Sequence, residues 1–497
     1  MKPSFATGAA TIVLAAMMGG TVACASSDIG APCGAGTYPA APTGGGALRY
    51  VSAACVDPAA DGSPDHPFSS IQAALDAAPA GAVVLVAPGT YAENLHVTRA
   101  VTLLGSDVPQ ADSASIILQA PKPEAAVVVS NASGVVIRGL RILSPVVAGV
   151  WVVGGTTTIE GCRIEGARAQ EDTAYGDGVL VTGGASIILQ DNAIVGSARV
   201  GAFLQGATGV IRRNTMSGNG RGGVRIERST AEVTVEANEL VGNSEVGIAI
   251  LSARGIILQN VIGKTAAGGP MGAADGILVA ELHGADGKGL GAAEAEVRDG
   301  NEVSDNARAG IIFSAGSRGI ILQNNVGGNG RAGIWLQGGA GGEAGIEVTK
   351  NILSANKLVG IGVTTAARGI ILQNTVGGTV ASPTLVGVDT FYPGDGVGVL
   401  AGGSARVEDN DISKNERFGV VTDGAAGGEL TRISGNTIDK NAHFGIILQN
   451  TGAAMPIVET NTITGNEDDE LKVFATDNPY KVPSAELGSS AEPAPLP

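Results

Sequence analysis

The sequence predicts an all-β solenoid, on the strength of a recurring motif, its period and an unusual composition. The motif Asn-x-(Ile/Val/Leu)-x-x-Asn-x-x-x-Gly-(Ile/Val)-x-(Ile/Val/Leu) begins at Asn214, Asn238, Asn301, Asn324, Asn351, Asn410, Asn436 and Asn461. Weaker copies begin at Asn192, Asn260 and Asn374, and Cys162 takes the same place in another. Most steps are roughly 22 to 27 residues, the length of one coil of short strands broken by Gly, Asn and Asp. A chain of 497 residues exceeds the size at which one compact core stops growing, and 77 Gly with only 8 Phe, 6 Tyr and 2 Trp argue against several ordinary cores. A narrow stack of small branched side chains fits this composition.

The corners follow from the Asn residues. Asn tolerates left-handed backbone and bonds its neighbours, and stacked Asn side chains form ladders along a solenoid axis. The stretch RGIILQN at 254–260, 318–324 and 368–374 ends on the corner Asn, so Ile257, Ile321 and Ile371 are expected to point inward, like Val235, Val348 and Val407. FGIILQN at 444–450 sits in a different phase, with Gly445-Ile446 opening the strand after the turn. A segment that works in two registers reads as generic strand.

Before the ladder, Ser69 and Gln72 have capping-box spacing, and Ile71, Leu75 and Ala78 share one helical face. This helix is expected to close the open end of the stack and protect its edge.

These repeats resemble the right-handed parallel β-helix proteins of the pectate-lyase-like superfamily over roughly residues 47–475. The resemblance implies a right-handed parallel β-helix solenoid with a short N-terminal capping helix. Five segments are expected: 1–24, an export signal and lipobox; 25–46, a linker; 47–105, the cap and first coils; 106–475, the β-helix; 476–497, a Pro-rich tail. The superfamily includes lyases, hydrolases, esterases, epimerases and proteins that only bind or scaffold. The Gly-His-Gly and paired-Asp motifs of polygalacturonases and the Asp-Pro-His-Asp motif of alginate epimerases are absent. Gly89-Thr90-Tyr91-Ala92-Glu93 resembles the entry motif of pectin methylesterases, with Gln190-Asp191 a faint echo of their later motifs.

The first residues read as an export signal, and Thr21-Val22-Ala23-Cys24 resembles a bacterial lipobox with Cys24 as the lipidated residue. Thr21 departs from the usual Leu, which leaves ordinary cleavage near Ala23 or Ala25 open. A lipid chain would anchor the body to a membrane without spanning it, and no later segment has the length of a transmembrane helix. The expected location is therefore the cell envelope, as an outer-membrane or surface lipoprotein, or the medium. In an oxidising compartment Cys33 and Cys55 are a candidate disulfide, and Cys162 is expected to be a small buried ladder residue. A net charge of −16 without clustered Lys or Arg argues against nucleic acid.

Chemistry is expected in two places. The residue after each inward Ile or Val turns outward, giving the row Trp151, Leu180, Phe203, Arg225, Ala249, Leu278, Ile312, Trp335, Gly362, Gly398, Val421 and Ile447. So apolar a row is either a binding strip, with Trp151, Phe203, Arg225 and Trp335 its candidate contacts, or a surface over which inserted loops fold. The insertions 166–177, 264–275 and 378–395 each end in Asp-Gly and lack the second Asn, having Ala167, Thr265 and Thr379 instead. Asp177, Asp275 and Asp395 are the catalytic candidates, yet a four-coil spacing puts them about 19 Å apart, too far to act on one glycosidic bond. They would serve repeated subsites or be plain turn residues.

No cofactor is implied, and Ca²⁺ at Glu467-Asp468-Asp469-Glu470 is the one ion suggested. The leading expectation is a protein that binds or scaffolds a polysaccharide or envelope component. A polysaccharide lyase or hydrolase, and an adhesion or self-association protein, are the alternatives.

Overall fold

A computed structural model describes residues 37–480 apart from 106–115, 170–174, 269–272, 315, 343, 382–392, 453–454, 469, 475 and 477–479. Cys24, Cys33, Asp469, most of the linker, nearly all of the tail and parts of each insertion lie outside the described residues.

Each coil carries two longer strands and one short strand. The longer strands form a 29-stranded sheet and the short ones, mostly three residues each, a 15-stranded sheet, with coil pairing parallel throughout both. Register is strict. Ile257, Val297, Ile321, Val348, Ile371 and Val407 pair in sequence from coil to coil, and all are fully buried. They belong to one continuous aliphatic core that runs from Val51 to Leu448. The copy at 444–450 falls in its other phase, with Ile446 and Ile447 both buried.

The first Asn column is an unbroken ladder. Asn214 Nδ2 and its backbone N–H both donate to Asn238 Oδ1 at 2.9 Å, and Asn238 repeats the pattern on Asn260. The second amide hydrogen reaches carbonyls of the core strands, as Asn324 Nδ2 reaches Val297 O at 2.8 Å. Cys162 occupies the ladder's first rung, its N–H bonded to Asn192 Oδ1, and burial pushes its thiol up to about 11. The second column breaks where expected. Asn219–Asn243, Asn306–Asn329–Asn356 and Asn415–Asn441–Asn466 form separate runs, with Thr265 and Thr379 standing at the interruptions.

The repeat's Gly is required by close approach rather than by backbone angle. A Cβ on Gly310, Gly333 or Gly360 would lie 2.6 to 2.7 Å from the carbonyl oxygen of the corresponding Gly in the next coil.

The cap helix Ile71–Ala77 starts one residue later than the spacing predicts. Ser70, not Ser69, accepts the Ala73 N–H, and Glu93 rather than Gln72 completes the cap, bonding Ser70 Oγ and the N–H groups of Ile71 and Gln72 at 2.7 to 2.9 Å. A carboxylate from the next coil is better placed at the helix start than a side chain of the helix itself. The resemblance to an esterase entry motif thus falls on structural residues, since Tyr91 is buried as well and donates to Ala87 O. Ile71, Leu75 and Ala78 face the core as expected. Among the described residues no helix is long and apolar enough to cross a membrane.

Asn324→Ala would remove one of the three acceptors of Asn301 Nδ2 and the side-chain donors to Val297 O and Asn351 Oδ1, breaking the ladder at this rung. A lost buried hydrogen bond costs roughly 0.5–1.5 kcal/mol and this substitution removes several, so urea denaturation should show a clear loss of stability, while an exposed control, Thr462→Ala, should change little.

Candidate functional site

The expected outward row exists and is in register. Trp151 pairs with Leu180, Leu180 with Phe203, Phe203 with Arg225, Ile312 with Trp335 and Trp335 with Gly362, and the row continues to Ile447. It is not an open strip. Phe203 and Arg225 are 1% exposed and Trp335 is 4% exposed, while Trp151 is half-buried. The expectation of an accessible binding strip is corrected in favour of a covered row.

Three satellite clusters lie outside the main core along this row. In the first, Tyr175 from the insertion packs on Trp151 with ring centroids 6.2 Å apart, and the Arg199 guanidinium lies 5.0 Å from the Tyr175 ring and 4.9 Å from Phe203. Trp151 Nε1 donates to Thr182 Oγ1 at 3.0 Å. In the last, Tyr480 seats on Phe418 and Phe444 at 5.4 and 5.7 Å. Arg225 is held by Glu227 on its own strand, Nε to Oε1 at 2.5 Å, and burial pushes its guanidinium below its ordinary value.

The three Asp-Gly carboxylates are fully buried. Each is gripped by an arginine of the following coil: Arg199 Nε donates to Asp177 Oδ1 at 2.8 Å, Arg308 Nε to Asp275 Oδ1 at 2.8 Å and Arg417 Nε to Asp395 Oδ1 at 2.7 Å. In every pair Nη2 binds the other oxygen. The backbone N–H of the residue after the arginine completes the set, from Val200, Ala309 and Phe418. With both oxygens occupied and buried, Asp177, Asp275 and Asp395 are structural pairs, and their expected catalytic or subsite role is corrected. The four-coil spacing itself holds, since four successive strand pairings separate Asp177 from Asp275 and four more lead to Asp395.

The arginines were missed because they lie a coil away from their partners. Their signal is nonetheless in the sequence: Ala198-Arg199-Val200-Gly201, Ala307-Arg308-Ala309-Gly310 and Glu416-Arg417-Phe418-Gly419 occupy the coil after each Asp-Gly. Around the first pair a larger charged group gathers. Glu245 is fully buried, 3.4 Å from Arg221 Nε, and burial raises its carboxyl above the ordinary range against the pull of Arg221 and Arg225.

On the opposite longer-strand face, an open groove crosses three coils. Arg406, Glu408, Asp409, Glu429, Arg432, Ser434, Gly435 and Thr460 line it. Arg406 Nη2 meets Glu408 Oε2 at 2.6 Å, and Arg432 Nη2 meets Glu429 Oε2 at 3.1 Å. No group of three or more His, Cys, Asp or Glu among the described residues is arranged to hold a metal ion. In the acidic run considered for Ca²⁺, Asp468 Oδ2 instead meets His443 Nδ1 at 2.8 Å. Cys55 is buried and disulfide-bonded.

Breaking a buried pair leaves a charge without compensation, so Arg308→Met should cost roughly 3–5 kcal/mol in chemical denaturation, and adding Asp275→Asn should recover most of it. Glu245 gives a pH signature. Its folded-state pKa is raised, so its contribution to stability is present below the ordinary carboxylate range and lost as pH climbs through the raised value. Glu245→Gln should remove that downward slope from a plot of stability against pH.

A family model described as a right handed beta helix region matches residues 120–263, 292–379 and 376–483. Comparison with curated protein sequences finds no match. Among solved structures, the chain is similar to the catalytic unit of a GH87 α-1,3-glucanase from Streptomyces thermodiastaticus, with 14% identity and a TM-score of 0.46, covering 90% of this chain and 70% of that one. It is also similar to the A-module of the Azotobacter vinelandii mannuronan C-5 epimerase AlgE6, with 16% identity, a TM-score of 0.37 and coverage of 82% and 93%. For pectate lyase Pel9A the values are 13%, 0.36, 74% and 78%. Such distant likenesses concern the fold alone. With its ladder, its parallel coils and a family match over more than half its length, the chain belongs to the right-handed β-helix family.

Proposed function

We propose that this protein is an exported, lipid-anchored β-helix that binds or scaffolds a hydroxyl-rich extended partner, a polysaccharide or another cell-envelope component. The groove lined by Arg406, Glu408, Glu429 and Arg432 supports this reading most directly. It is open, spans successive coils about 4.8 Å apart, and offers donors and acceptors in alternation. A polymer of hydroxyl-bearing units can hydrogen-bond to both. The net charge of −16 disfavours a polyphosphate partner. Export is supported by the signal-like start, and the disulfide at Cys55 fits an oxidising compartment.

The direct test is gel filtration of the protein with acidic and neutral polysaccharides. Co-elution with intact polymer supports binding, shorter fragments would replace it with depolymerisation, and no change in either would favour self-association. Combining Arg406→Ala with Arg432→Ala should weaken co-elution at least tenfold while leaving stability nearly unchanged, because ion pairs at the surface contribute little to stability. Cys24→Ser should move the protein from the membrane pellet to the soluble fraction.

A further inference from the structure

The stretch RGIILQN recurs three times in one phase, and burial in the core accounts for only part of it. Its second isoleucine, at 257, 321 and 371, is buried, whereas the first, at 256, 320 and 370, turns outward on the same strand and is partly exposed. Each copy opens with an outward arginine, Arg254, Arg318 or Arg368. The copy at 444–450 stands on the other longer-strand face and has Phe444 in place of the arginine.

The three in-phase copies occupy alternate coils. From Ile256 the outward row runs through Glu296, Ile320, Glu347 and Ile370 to Arg406, one coil per step. The same side chains therefore recur every second coil, about 9.6 Å apart, twice the strand spacing. Carboxylates stand in the coils between them. In the first of these coils Glu294 meets Arg254 at 2.9 Å and Glu296 meets Arg298 at 2.9 Å, so the charges are matched within the protein. The next three coils differ. Arg318 and Arg368 have no ion pair among the described residues, and Glu347 between them is exposed, accepting from Thr349 Oγ1 at 3.0 Å. Along the solenoid axis the surface here reads positive, negative, positive, one sign per coil.

This row is continuous with the polar groove, because Arg406 belongs to both and pairs with Arg432 one coil later. A polymer that crosses the groove along the axis is carried onto the row. A pyranose unit in an extended chain spans close to one coil spacing, so successive units meet successive coils. With a carboxylate on every unit, one of them must lie against Glu347, and like charges repel. With a carboxylate on every second unit, the acids meet Arg318 and Arg368, while the uncharged unit between offers its hydroxyls to Glu347. Ile320 and Ile370 supply apolar contact beside the arginines.

We propose that the face bearing Arg318, Glu347 and Arg368 is a docking surface for a linear glycan that carries one carboxylate in every second unit. The inference rests on the reading of the groove and narrows it. A uniformly acidic chain is opposed by Glu347, and an uncharged chain leaves both arginines without a counter-charge.

Calorimetric titration of the full chain at constant ionic strength tests this with three oligosaccharides of equal length: hyaluronan, with an acid in every second unit, polygalacturonate, with one in every unit, and a cello-oligosaccharide, with none. Hyaluronan should bind at least tenfold more tightly than the other two. Combining Arg318→Gln with Arg368→Gln should abolish that advantage and leave the cello-oligosaccharide unaffected. Glu347→Gln should strengthen polygalacturonate binding at least threefold, with circular dichroism confirming that these surface variants stay folded. Equal or tighter binding of polygalacturonate or the neutral chain, or hyaluronan binding that survives the double substitution, would overturn this inference and leave the groove reading standing. Binding of none of the three would overturn both. A dimer in sedimentation velocity that the double substitution dissolves would assign the face to a second copy of the chain instead.

Discussion

Everything in this molecule depends on coils stacking in exact register, and the Asn ladder is the interaction that enforces it. A rung accepts two hydrogen bonds from the coil before it and donates its own amide to carbonyls of the core strands. A slip of one residue would break both bonds and send the core side chains outward. The glycine column adds a steric condition at the neighbouring corner, since backbone passes where any Cβ would stand. Together they explain how so few aromatic residues hold so long a chain: its core is thin, continuous and aliphatic, and each coil is fixed by its neighbours.

Register also governs what happens outside the core. At Ala167, Thr265 and Thr379, where the second Asn is missing, the chain departs from the coil in an insertion and returns through an Asp whose carboxylate is clamped by an arginine one coil later. Such a pair contributes little net stability, because desolvation offsets most of its attraction. Its value is geometric, for a bidentate pair fixes both direction and distance. The insertions therefore begin and end at defined points, and the apolar row beside them, with Phe203 and Trp335, is covered rather than presented to solvent.

This arrangement redirects the search for function. The acids that looked catalytic are structural, and the aromatic strip that looked like a binding surface is a set of secondary cores. Among the described residues, an open polar groove crosses the last coils, where Arg406 and Arg432 stand at the surface paired with Glu408 and Glu429.

The sequence by itself determined the solenoid, its coil length, the inward row of Ile and Val, the breaks in the second Asn column and the four-coil spacing of the insertions. All of these are periodic, and periodicity survives in a one-dimensional string. It also identified the outward row correctly in register, and Cys162 as a ladder rung. Only the tertiary structure decided that the row is buried, that Glu93 caps the first helix, and that Asp177, Asp275 and Asp395 are locked to Arg199, Arg308 and Arg417. Each of those facts is a contact between residues some 22 to 33 positions apart, and whether an outward side chain meets water or another part of the chain depends on where an aperiodic segment folds.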